Sequence, residues 1–134
     1  MFVQNLNEKQ QSALLYLAYE VAKADGDLHE LQMGLMEIIK AQCKGNIEKQ
    51  EVPLEQLPII FDNERVKCSL LLELLGVAHS NNEYDIREKK LIEKYAQTLD
   101  IKSDKLESLE IWVKKQLALM QEIEQLLVVY QKVC

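Results

Sequence analysis

The chain has 134 residues, a formal net charge of -6, and 48% hydrophobic residues with only 4 Gly and 2 Pro. This length suits one domain, residues 1–134, that buries a core without a disulfide or metal staple, and so few Gly and Pro leave little turn chemistry for many short strands. The acidic balance, with Lys89–Lys90 and Lys114–Lys115 as isolated basic pairs, repels phosphate backbones and argues against a nucleic-acid partner.

Asn7 followed by Gln10 predicts a capping box at the start of a first helix, whose apolar positions Leu14, Leu17, Ala18 and Val21 fall on one face. Asp25–Gly26 ends it, glycine being able to take a left-handed conformation without steric cost. Asp27 with Glu30 predicts a second capping box and a helix from about Leu28 to Lys44, closed by Gly45. Gly34 inside that helix predicts a close helix crossing, because glycine there otherwise only costs stability. Residues 46–62 form a connector that Pro53 and Pro58 restrict to short helical turns. Asp62 or Asn63 caps a third long helix, roughly Glu64–Ser80, whose centre Ser69–Ala78 is apolar nearly all round and so belongs in the middle of a bundle.

Asn81–Asn82 breaks that helix, and Asp85 with Glu88 predicts a third capping box before a helix carrying Leu91, Ile92, Tyr95, Ala96 and Leu99. After a turn at Asp100–Lys102, Ser103 is the expected cap of a final segment, 103–133, that contains no Pro or Gly. Its apolar series is Leu106, Leu109, Val113, Leu117, Met120, Ile123, Leu127 and Tyr130. One straight helix of that length would measure about 46 Å, so either it bends into two or its distal half packs on something else.

A shift of 56 residues superposes the two halves: Leu14–Leu15 on Leu70–Leu71, Val21–Ala22 on Val77–Ala78, Leu35–Met36 on Leu91–Ile92 and Ile39 on Tyr95. The repeated unit is a helical hairpin, about 7–45 and 63–101. Its turns read Ala24–Asp25–Gly26–Asp27–Leu28 and Ser80–Asn81–Asn82–Glu83–Tyr84. Seven residues after the first position of the Asp-Gly pair stand Gln32 in the first copy and Glu88 in the second. Over roughly 7–101 this organisation resembles the TerB-like family, which includes tellurite-resistance protein B and the N-terminal domain of a membrane-anchored DnaJ-type co-chaperone. The resemblance implies an all-α TerB-like helical bundle of about seven helices built from two pseudo-symmetric hairpin repeats. It also implies a bacterial, stress-linked protein that works through protein contacts, sometimes near membranes, and acidic inter-helix turns associated with divalent cations.

Few residues offer chemistry. Asp25, Asp27 and Glu88, with Glu30 beside them, are the metal candidates, because hard oxygens converging on a turn suit Ca²⁺ or Mg²⁺; the competing role for Asp27 and Glu30 is helix capping. The stretch is not an EF-hand, since Glu30 and Met36 stand where that loop needs Gly and Glu. Neither His29 nor His79 follows a Glu-x-x-His pattern. His79, at the end of a helix, suits the helix dipole if protonated. Ser12, Ser69 and Ser80 lack a nucleophile-elbow setting, and Cys43, Cys68 and Cys134 are spaced as separate thiols of a reducing compartment, Cys43 and Cys68 as small buried hydrophobes. No enzyme activity and no cofactor is expected.

The interaction candidates are Leu109, Trp112, Val113, Met120, Ile123 and Leu127 on the last segment, whose spacings of three and four suit packing against another helix; Trp112 lies beside that stripe as a binding anchor. The expected partner is a protein, including a second copy bound through 103–133, in a cytoplasmic setting with membranes reached only through partners. The competing role is that the stripe covers the protein's own bundle.

Overall fold

Asn7 starts the first helix by local chemistry alone. Its Oδ1 accepts the Gln10 backbone N–H at 2.8 Å, and Gln10 Oε1 accepts the Asn7 N–H at 2.9 Å, so the expected capping box opens α1 (Glu8–Ala22). The computed structural model describes residues 1–24, 26, 30–80 and 84–133, with side chains described for all of these except 30, 31 and 129–133. Gly26 takes the expected left-handed backbone at φ 97°. The Asp27–Glu30 capping box lies outside the described residues.

Helix α2 (Glu30–Gln42) ends two residues before the expected Lys44. The Cys43 N–H reaches back only three residues, to Lys40 O at 3.1 Å, which tightens the last turn and stops the helix; Gly45 then turns the chain at φ 56°. The two prolines restrict the connector to a 3₁₀ turn at Leu54–Gln56 and the short α3 (Leu57–Ile60). Pro58 sits in the first turn of α3, where its missing N–H would be unpaired anyway. Leu57, Ile60 and Phe61 are buried and Leu54 is half-buried, which pins the connector to the core.

Asn63 Oδ1 accepts the Val66 N–H at 3.1 Å and caps α4 (Glu64–His79). The Asp85–Glu88 capping box opens α5 (Ile86–Thr98). That helix ends on Asp100, a non-glycine residue at φ 59°. Ile101 N–H bonds Ala96 O at 2.8 Å and Asp100 N–H bonds Gln97 O at 3.0 Å, the paired geometry of a Schellman motif, with Ile101 and Ala96 both buried.

Helix α6 (Ser103–Val133) is one continuous helix of 31 residues, so the alternative of two helices does not hold. The Lys102 carbonyl accepts the first helical bond, from Leu106 N–H at 3.0 Å. Ser103 is therefore the first helical residue rather than the cap. The described residues contain six α-helices, not seven, and no strand. The prolines hold the connector to one short helix, and the N-terminal segment makes only a 3₁₀ turn, Val3–Asn5.

Helix α4 is the centre of the bundle, in contact with α1, α2, α5, α6 and the N-terminal 3₁₀ turn. Leu70, Leu71, Leu74, Leu75, Val77 and Ala78 are all buried. Two buried glutamines tie irregular chain to this core. Gln10 Nε2 donates to Ile60 O at 2.9 Å. Gln11 Nε2 donates to Leu6 O at 3.0 Å, and its Oε1 accepts Lys44 N–H at 3.1 Å. Positions separated by 56 residues share their burial: Leu14 and Leu70, Val21 and Val77, Ala22 and Ala78, and Ile39 and Tyr95 are all in the core.

The close crossing expected at Gly34 is absent: a Cβ placed there meets nothing within 4 Å, and the residue faces solvent. Gly34→Ala should therefore stabilise the fold by about 0.5–1 kcal/mol through reduced backbone entropy. This should raise the melting temperature by roughly 3–5 °C in a circular-dichroism melt. Leu71→Ala, at the fully buried centre of α4, should instead cost about 2–5 kcal/mol in the same assay.

Candidate functional site

Three features of the bundle carry polar or apolar groups that the core does not need. The first is a buried polar pair. Gln32 on α2 and Glu88 on α5 are both fully buried, and Gln32 Nε2 donates to Glu88 Oε2 at 2.8 Å. Glu88 Oε1 accepts the Asp85 N–H at 3.2 Å, so the helix-capping carboxylate is also the core carboxylate. Gln32 Nε2 makes a longer contact with Val77 O at 3.4 Å, and Gln32 Oε1 is buried without a hydrogen-bond partner. A buried carbonyl oxygen left unpaired costs stability unless something else meets it. The shift of 56 residues aligns Gln32 with Glu88, but it could not show that the two meet side by side.

Of the three metal candidates, Glu88 is thus placed and Asp25 and Asp27 lie outside the described residues. Among the described residues, no three His, Cys, Asp or Glu side chains converge as a metal site would require. Gln32 Oε1 and Glu88 supply hard oxygens, the donor type Ca²⁺ and Mg²⁺ take, but two donors fall short of the six to eight that Ca²⁺ uses.

The second feature joins the end of α4 to α6. His79 Nε2 lies 3.3 Å from Glu110 Oε1, and its ring packs tilted at 49° against Tyr84 with centroids 4.2 Å apart. Beside them opens a cleft of about 420 Å³ lined by Tyr84, Glu93, Glu107 and Glu110. The helix dipole favours a protonated His79, but burial overrides it. Burial pushes the His79 pKa below its ordinary 6.5, Lys114 adds to the shift, and the hydrogen bond to Glu110 offsets it only in part. Burial also pushes the Tyr84 hydroxyl up, with Glu110, Glu93 and Glu88 adding to the shift, so the phenol keeps its proton near neutral pH. Cys43 and Cys68 are half-buried rather than buried. Burial raises both thiols, which disfavours the nucleophilic thiolate.

The third feature is α6, where the structure splits the predicted stripe in two. Val113 is in the core at 4% exposure, and Leu106, Leu109 and Leu117 pack half-buried against it. The protein's own bundle thus covers Val113 and covers Leu109 in part. Trp112 remains 42% exposed, with its ring set edge-on to Phe2 at 5.5 Å. From 118 to 128 every residue is exposed. There Met120, Ile123 and Leu127 stand open to solvent. Leu119, Leu126 and Val128, which the stripe had not included, stand open with them; they sit one residue to the side of Met120 and Leu127, and the fixed three–four spacing passed over them.

With this geometry in hand, comparison with known proteins adds no relative: no family model, no curated protein and no solved structure matches the chain. Among the described residues no helix is long and apolar enough to cross a membrane.

The depressed His79 pKa sets a pH dependence. The folded state binds its proton less readily than the unfolded state, so stability is full above the unfolded value and falls as pH drops through it toward the folded value. The ring titration read by NMR should have its midpoint below 6.5. The loss of melting temperature between about pH 7.5 and about pH 5 should be smaller in His79→Gln than in the parent chain.

Proposed function

We propose that this chain is a non-enzymatic interaction module of the TerB-like kind, with the distal half of α6 as its docking helix. The observation that carries the reading is the run 118–128, in which Leu119, Met120, Ile123, Leu126, Leu127 and Val128 are each 44–64% exposed. Side chains of this size, half exposed, present roughly 500–600 Å² of apolar surface, the upper end of the largest patch a monomer usually leaves to water and the size at which such patches are often functional. The raised Cys43 and Cys68 thiols speak against thiolate chemistry. The TerB-like assignment draws on the matched burial of positions 56 residues apart and on the Gln32–Glu88 pairing, both of which fit two hairpin repeats packed face to face. It carries with it a bacterial stress setting, tellurite among the candidates.

Substituting Met120, Ile123 and Leu127 together by Glu should leave the bundle folded, since none of the three is buried. It should also abolish specific co-purification of whatever binds the parent chain in its native cell, the same chain or another. Recovery of an identical set of proteins by both, measured by quantitative mass spectrometry, would overturn the reading.

A divalent-cation-dependent module is the second reading, favoured by the unpaired Gln32 Oε1 beside buried Glu88. On this reading, Ca²⁺ or Mg²⁺ should release heat in calorimetry and raise the melting temperature, and Glu88→Gln should remove both effects. No heat and no shift with the parent chain ends it.

A further inference from the structure

Building on the reading of distal α6 as a docking helix, we propose that its occupant is a second copy of this chain, the two helices lying antiparallel along residues 118–133. The stripe itself gives the first reason. Leu106, Leu109 and Val113 step by three and four onto the protein's own core. Met120, Ile123 and Leu127 continue the same steps after the bundle has ended. This is the a/d pattern of paired helices, and Leu119 and Leu126 widen it to three apolar positions in each seven.

Size gives the second reason. The projecting segment, 118–133, is about 24 Å long at 1.5 Å per residue. One copy offers roughly 500 Å² of apolar surface, so two facing copies bury about 1,000 Å² before flanking atoms are counted, which reaches the threshold of a specific interface. Only an occupant that runs the whole length covers it, and a second α6 has that length and the same apolar spacing. The run 118–128 carries Glu122 and Glu124 and no Lys or Arg, so an anionic membrane is a poor alternative occupant.

The bundle itself decides the direction. It lies on the stripe side of α6 along the proximal half, where Val113 is buried. In a parallel pair the two bundles would face each other at the same level and compete for the same space. Antiparallel helices place the bundles at opposite ends, each beyond the tip of the other helix. Ile123 then sits opposite Leu127 of the second copy, an a position against a d position. The contact closes on itself by a two-fold axis and does not extend into a filament.

The test uses the full chain. Light scattering after size exclusion should give a dimer mass that dissociates on dilution. Met120→Glu/Ile123→Glu should raise the dissociation constant at least 100-fold while circular dichroism shows the bundle still folded. In a background with Cys43, Cys68 and Cys134 changed to Ser, an equimolar mixture of Ile123→Cys and Leu127→Cys chains should form the mixed 123–127 disulfide in preference to either homodimeric one. A parent chain that stays monomeric up to millimolar concentration overturns the self-pairing, while the docking reading stands or falls separately on its co-purification test. Preference for 123–123 and 127–127 disulfides overturns the antiparallel direction. An oligomer that survives Met120→Glu/Ile123→Glu overturns the assignment of the interface to α6.

Discussion

Helix α4 is apolar on almost every face, and such a helix persists in water only if other elements enclose it. Much of the architecture follows from that requirement. Helices α1, α2, α5 and α6 and the N-terminal 3₁₀ turn all lie against it, and Leu70, Leu71, Leu74 and Leu75 are almost wholly excluded from solvent. The segments that are not helical are fastened to the same core by side chains that would be unremarked on a surface. Gln10 and Gln11 satisfy the carbonyls of Ile60 and Leu6 and the N–H of Lys44. Without them the Ile60 and Leu6 carbonyls would lose buried partners, a cost of about 1–3 kcal/mol each.

Enclosing α4 also brings α2 and α5 together at their N-terminal ends, and there the core stops being purely apolar. Gln32 meets Glu88, and Glu88 simultaneously caps its own helix. One carboxylate thus links a local event, the start of α5, to a tertiary one, the approach of α2. Separating the two hairpins would leave the buried Gln32 amide without its Glu88 acceptor. The orphaned Gln32 Oε1 is the one buried side-chain polar atom left without a partner among the described residues.

The same helix, α6, does two different jobs along its length. Its first half is the wall that closes the bundle over α4 and α5. Its second half leaves the bundle while keeping the same apolar spacing, so nothing in its local composition marks where the inside ends. Extension from the anchored half supplies the nucleus that a free helix of that length would lack. The projecting half therefore keeps its helical form with its apolar face open.

Local chemistry was legible in the residues themselves. The capping boxes at Asn7 and Asp85, the cap at Asn63 and the left-handed turn at Gly26 each depend on groups within a few positions of one another, and sequence order alone places those groups together. What the sequence could not decide were outcomes of packing. Val113 and Met120 occupy equivalent places on one stripe, yet one is core and the other open, because the bundle has a finite height. The dipole of α4 favours the charged form of His79, yet burial lowers its pKa. Gln32 and Glu88 are adjacent only because two hairpins fold against each other. Periodicity states which face of a helix is apolar; only the positions of the other helices determine how far along that face the covering extends.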